Sequence, residues 1–145
     1  METIKDSMTQ DHRRCDDIFV EMEQAIVQQQ WPEADRLCRE FIASMEHHFK
    51  IEEELLFPEL EKAAPQAGGP VNVMTMEHDQ MRHLMKQLAS SVDKKSKELS
   101  TGYSDTLLVT MQQHNIKEES VLYPMADNAV PVLADEIAKA YAEPV

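Results

Sequence analysis

A chain of 145 residues suits one domain with a real buried core. Its three glycines and its many Glu, Gln, Met, Leu and Ala residues favour helix over sheet. A net charge of −13 argues against a nucleic-acid partner and against an anionic membrane surface, because both want basic residues.

A first helix is expected over 4–29, where Met8, His12, Cys15, Phe19, Met22 and Ile26 alternate steps of four and three. The opening residues lack the apolar stretch of a secretory signal. No apolar run is long enough to span a bilayer, so the cytoplasm is the expected compartment. Trp31-Pro32 breaks the pattern, and Pro32 fits the first turn of a second helix over 32–62. There Phe41, Met45, His48, Glu52 and Leu55 share one stripe. Ala64 to Gly69 reads as the clearest loop in the chain. The third helix, 70–99, repeats the alternation of the first with Met74, His78, Met81, Met85, Leu88 and Val92. Ser100-Thr101-Gly102 is expected to turn the chain into a fourth helix, 104–128, with Leu107, Met111, His114, Glu118 and Val121 on its stripe. Pro131 then separates a short C-terminal helix, 132–141. Pro58 and Pro124, each six residues after a stripe glutamate, should kink or end their helices. Long helices on short connections imply an all-α, up-down-up-down four-helix bundle, with 1–145 as one domain. Cys15 and Cys38 would lie about 10 Å apart along the axes of antiparallel helices, too far for a strain-free disulfide.

The chain is also written twice. One shift of sixty-six positions takes His12 onto His78, His48 onto His114 and Glu52 onto Glu118. It also takes Glu53 onto Glu119, Leu56 onto Leu122, Phe57 onto Tyr123 and Pro58 onto Pro124. A His and a Glu at i and i+4 stand one above the other on a helix face and can reach one point near the bundle axis. One such pair is weak evidence. Two at matched heights, opposite two further seam histidines, form an inventory for two metal ions. Without a metal, these six side chains would be buried polar groups costing several kcal/mol. Imidazole and carboxylate suit iron, manganese and zinc. The pseudo-symmetry assigns His12 and His48 to one ion, His78 and His114 to the other, and Glu52 and Glu118 as bridges. Six-coordinate iron would keep room for an oxo or hydroxo bridge and one external ligand.

At these residues the chain resembles the hemerythrin-like, histidine–histidine–glutamate cation-binding family. The likeness runs through Asp11-His12-Arg13-Arg14, His48 to Glu53 and on to Pro58, Glu77-His78 to Arg82, and His114 to Glu119 and on to Pro124. The resemblance implies a four-helix bundle around a non-haem di-iron centre. Oxygen-carrying hemerythrins have a fifth histidine one turn after the third-helix ligand, where this chain has Arg82. They also have an aspartate at a different spacing where this chain has Glu118. His83 is about 140° around the helix from His78, so it and His47 are expected outside the ligand set. The four-His, two-Glu set is closer to that of bacterial iron-centre repair proteins, which act under nitrosative and oxidative stress. Those usually carry an additional N-terminal cysteine-bearing domain, and none is expected within the eleven residues before His12. Arg82 is expected to lay its stem on apolar surface and keep its head wet, the alternative being a pair with a bridging carboxylate or a guard on an access route. Cys15 is expected to be a small core residue.

Three functions fit. The first is a binder, sensor or store for dioxygen, nitric oxide or iron itself. The second is an enzyme using the same two irons for redox or iron–sulfur repair chemistry, with an electron donor that the sequence does not reveal. The third is an interaction bundle with a structural metal. No catalytic constellation independent of the metals is visible, and no protein partner is implied.

Overall fold

The computed structural model describes residues 2–143, and every regular element among them is helical. Helix α1 (Ile4–Val27) starts from a reciprocal cap, in which the Thr3 hydroxyl accepts from the Asp6 N–H at 3.0 Å and the Asp6 carboxylate accepts from the Thr3 N–H at 3.1 Å. Asp127, far along the chain, accepts the N–H groups of Ile4 and Lys5 at 2.7 and 3.1 Å. This joins the C-terminal segment to the start of α1. Gln29, at φ 55°, stops the helix two residues before the expected end. Helix α2 (Trp31–Ile51) has Pro32 in its first turn, where the missing N–H does no harm.

The helix does not end at Pro58. It widens into a π-turn over Glu52–Leu56, with the Phe57 N–H donating to the Glu52 carbonyl, before continuing as α3 (Phe57–Ala63). The second copy does the same. Helix α5 (Lys97–Lys117) widens over Glu118–Leu122, the Tyr123 N–H donates to the Glu118 carbonyl, and α6 (Tyr123–Ala129) follows. A π-turn inserts one residue and rotates everything after it. Leu56 and Leu122 are therefore fully buried, while Val121, expected on the seam, is 49% exposed and Leu55 is only partly buried.

Helix α4 (Gly68–Asp93) begins earlier and ends earlier than expected. The turn lies at 94–96 and not at Ser100–Gly102, with Lys95 at φ 56° and the Ser96 hydroxyl capping α5 through the Leu99 N–H at 3.2 Å. A capping serine after a run of lysines defines a helix start. Gly102 is then an ordinary helix-interior residue, at about 1 kcal/mol relative to Ala. A 3₁₀ turn at Pro131–Leu133 delays the last helix, α7, to Ala134–Ala142.

The four long helices form a ring in which α1 and α4 each pack against both α2 and α5. This is the expected four-helix bundle, and α7 lies along α1. Two apolar clusters fill it. One holds Phe19 and Phe41, with ring centroids 5.2 Å apart, along with Met22, Met81, Met85 and Leu88. The other holds Ile4, Met8, Leu56, Leu60, Met74, Leu122 and Ile137. His12, His48, His78, His114, Glu52 and Glu118 belong to neither cluster and are buried at 0–5% exposure. No helix among the described residues is long and apolar enough to cross a membrane.

Candidate metal centre

The structure brings all six sequence-derived residues together. His12 comes from α1, His48 from α2, His78 from α4 and His114 from α5, while Glu52 and Glu118 are the first residues of the two π-turns. Their donor atoms fall into two overlapping groups. One is Glu52, His78, His114 and Glu118, and the other is His12, His48 and Glu118. Glu118 belongs to both. Its Oε1 lies 3.1 Å from His12 Nε2 and 3.2 Å from His114 Nε2. Glu52 Oε1 lies 3.0 Å from His78 Nε2 and 3.6 Å from His48 Nε2. Both carboxylates therefore span the two halves of the site.

The spacing is that of ligands around a cation. Two donors at right angles on an ion about 2.1 Å away lie about 3.0 Å apart. His12 Nε2 and His48 Nε2 are 3.1 Å apart. Hydrogen bonding leaves the same gap. His78 Nε2, His114 Nε2, Glu52 Oε1 and Glu118 Oε2 are all buried without a hydrogen-bond partner. Four orphaned donors, one from each member of the first group, would be costly in a purely structural core. The residues fit a bound cation.

The opposite ring nitrogens are all satisfied, and in a pattern that repeats. His12 Nδ1 meets Glu119 at 2.7 Å and His78 Nδ1 meets Glu53 at 2.5 Å. His48 Nδ1 meets Asp11 at 2.8 Å and His114 Nδ1 meets Glu77 at 2.9 Å. The sixty-six-residue shift relates Asp11 to Glu77 and Glu53 to Glu119, so the outer carboxylates obey the same doubling as the inner residues. A carboxylate on Nδ1 fixes the tautomer that presents Nε2 to a metal and makes that nitrogen more basic. The sequence reading missed these four roles. The signal lay in the acid just before each seam histidine and the second glutamate of each Glu-Glu pair.

The same contacts tune proton affinity in the metal-free protein. Burial alone would keep His48 neutral, but the Glu52 charge and the Asp11 hydrogen bond outweigh it and raise its pKa well above the usual imidazole value. Burial is likewise outweighed at His12, by hydrogen bonds to Glu118 and Glu119. At His114 the Glu118 charge overcomes burial and pushes the pKa up to about 9. Glu52 is held well below the usual carboxylate range, because the charge of His48 and hydrogen bonds from its neighbours overcome burial.

Arg82 touches neither inner glutamate. It binds Glu53 through two nitrogens at 3.0 and 3.1 Å, Glu46 at 3.0 Å and Asp79 at 3.1 Å, and it lies over the Phe49 ring at 5.0 Å. Since Glu53 holds His78, Arg82 steadies the His78 ring at one remove, and it is the guanidinium, not the stem, that lies over an aromatic face. His83 is exposed and His47 is half-buried, its ring set edge-on to Tyr141 at 5.9 Å. Neither joins the cluster. Cys15 and Cys38 are buried free thiols, and burial pushes Cys15 up to about 12, which suits a core residue. Tyr123, noticed in the sequence only as the counterpart of Phe57, places its hydroxyl 2.8 Å from Glu52 and 2.9 Å from Glu118.

The family model for the hemerythrin HHE cation-binding domain matches residues 3–139. The chain belongs to that family, and its buried His/Glu cluster suits a bound metal cation. Comparison with curated proteins and with solved structures gave no match.

Proposed function

We propose that this HHE-family bundle holds two iron ions and uses them to bind or sense a small ligand, dioxygen or nitric oxide, or to handle iron itself. His12 and His48 hold one ion, His78 and His114 the other, and Glu52 and Glu118 reach both. The observation that carries this reading is the set of four buried, unpartnered donor atoms facing one another beside a second set at ligand spacing. Bound iron supplies open coordination positions and a reversible change of oxidation state. The chain supplies the rest. Carboxylates on Nδ1 fix each imidazole, and Arg82 anchors Glu53. Apolar clusters at both ends exclude water. Phe49 stacks on the His78 ring at 4.0 Å and restricts that side to small ligands.

The alternative is redox or iron–sulfur repair chemistry at the same two irons with an external electron donor. Manganese and zinc accept the same donors, and zinc would give an interaction bundle with a structural site. One experiment separates these readings: anaerobic loading with ferrous iron, metal analysis, then optical spectra with dioxygen and, separately, with nitric oxide. Two irons per chain with new ligand-to-metal bands that reverse on deoxygenation support a carrier or sensor. Irreversible oxidation followed by iron release favours redox or repair chemistry. Iron that responds to neither gas indicates a structural site, and no iron uptake overturns the proposal.

A further inference from the structure

The two halves of the centre are not equivalent, and the difference lies in the pair Phe57 and Tyr123. The sixty-six-residue shift relates them, and each opens the helix after its π-turn. Phe57 sits beside the His78 ring, with centroids 6.0 Å apart and planes 16° from parallel, and brings no donor atom. Tyr123 is wholly buried and brings a phenol oxygen into the His12–His48 half. That oxygen lies 3.2 Å from His12 Nε2, 3.2 Å from His48 Nε2, 2.9 Å from Glu118 Oε1 and 2.8 Å from Glu52 Oε2.

A phenol has one proton. It can donate to only one of the two carboxylate oxygens, the other then faces its lone pairs at hydrogen-bond distance, and the two imidazoles satisfy those lone pairs only as Nε2–H donors. A cation at the centre of the group accounts for all four contacts together. The distances, like the 3.1 Å between the two imidazole nitrogens, match donors set at right angles around one ion.

We propose that Tyr123 is a direct phenolate ligand of the ion held by His12 and His48. This rests on the two-iron reading above. Binding the ion displaces the phenolic proton to water, as metal binding does for any protonated ligand. That ion then has five protein donors: His12, His48, Tyr123, Glu52 and Glu118. The ion at His78 and His114 has four. An exogenous small ligand therefore binds at the His78–His114 ion, and the Tyr123 side acts as the closed, electron-rich partner. The chain thus breaks its own symmetry with a tyrosine, on the opposite half from the Arg82 position.

Ferric phenolate gives a charge-transfer band in the visible and resonance-enhanced ring vibrations, and neither depends on turnover. The test is to load the full chain with iron, oxidise it in air, count the metal, and record optical and resonance Raman spectra. Wild type and Tyr103→Phe, whose ring packs at the far apolar cluster, should show the band and the phenolate vibrations. Tyr123→Phe should lose both while melting like wild type. Phe57→Tyr in the Tyr123→Phe background should restore a phenolate signal from the other half. Two irons in wild type without phenolate vibrations, or a band that survives Tyr123→Phe, would overturn this ligand assignment and leave the two-iron reading standing. No iron in wild type would overturn both.

Discussion

Neutralising an outer carboxylate tests whether the histidines are held as ligands. His48 Nδ1 meets Asp11 at 2.8 Å, and its repeat counterpart His114 Nδ1 meets Glu77 at 2.9 Å. Asp11→Asn and Glu77→Gln keep shape and an acceptor oxygen but remove the charge that makes Nε2 basic. Losing such a partner costs about 10–100-fold in metal affinity, or about 1.4–2.7 kcal/mol. The surroundings divide that range. The Asp11 side chain is 4% exposed, so the upper end is expected there. Glu77 is 17% exposed, so the lower end is expected there, each acid having one basic neighbour besides its histidine, Lys117 for Glu77 and Arg14 for Asp11. Affinity is read by competition with a chromophoric chelator under anaerobic conditions, with thermal melts to check folding. Both variants within twofold of wild type, or Glu77→Gln the more damaging, would refute the assignment.

Glu118→Ala should lower the metal stoichiometry or remove magnetic coupling, because its Oε1 faces both halves at 3.1 and 3.2 Å; two coupled ions in the variant, counted by metal analysis and susceptibility, would mean it is no bridge. His83→Ala should keep full metal content, since that ring is exposed and outside the cluster; loss of an ion would make His83 a ligand. In the metal-free protein, folding raises His114 from 6.5 to about 9, so its contribution is complete below pH 6.5 and is lost as pH rises through 9. Glu52 is depressed below 4.5, so its contribution is present above pH 4.5 and is lost as pH falls through the lowered value. Thermal melts of the metal-free protein should therefore peak between pH 4.5 and 6.5 and decline toward alkaline pH. Metal loading at pH 7 should release protons into a weakly buffered solution. A flat melting profile and proton-neutral loading would both count against the network.

Helical periodicity and the doubling made the bundle and its six inner residues legible, because a buried His or Glu on an apolar seam violates the pattern around it. Four things were harder to read. The turn at 94–96 was masked because a glycine at 102 attracts a break that the capping Ser96 actually supplies. The π-turns were masked because Pro58 and Pro124 signal a lost hydrogen bond without saying whether the helix ends or widens. That one inserted residue puts Leu122 inside and Val121 outside. Tyr123 was masked because Phe57 and Tyr123 look interchangeable as core aromatics, and only the three-dimensional placement shows one hydroxyl among four donor atoms. The outer acids Asp11, Glu53, Glu77 and Glu119 resembled surface charge, and their partners lie on other helices.

The most direct test of the central claim is an anomalous-scattering map at the iron edge from crystals of the loaded protein. Two peaks per chain are expected, one between His12 and His48 beside the Tyr123 oxygen and one between His78 and His114, with Glu52 and Glu118 reaching both. A single peak, a peak elsewhere, or none would contradict that claim.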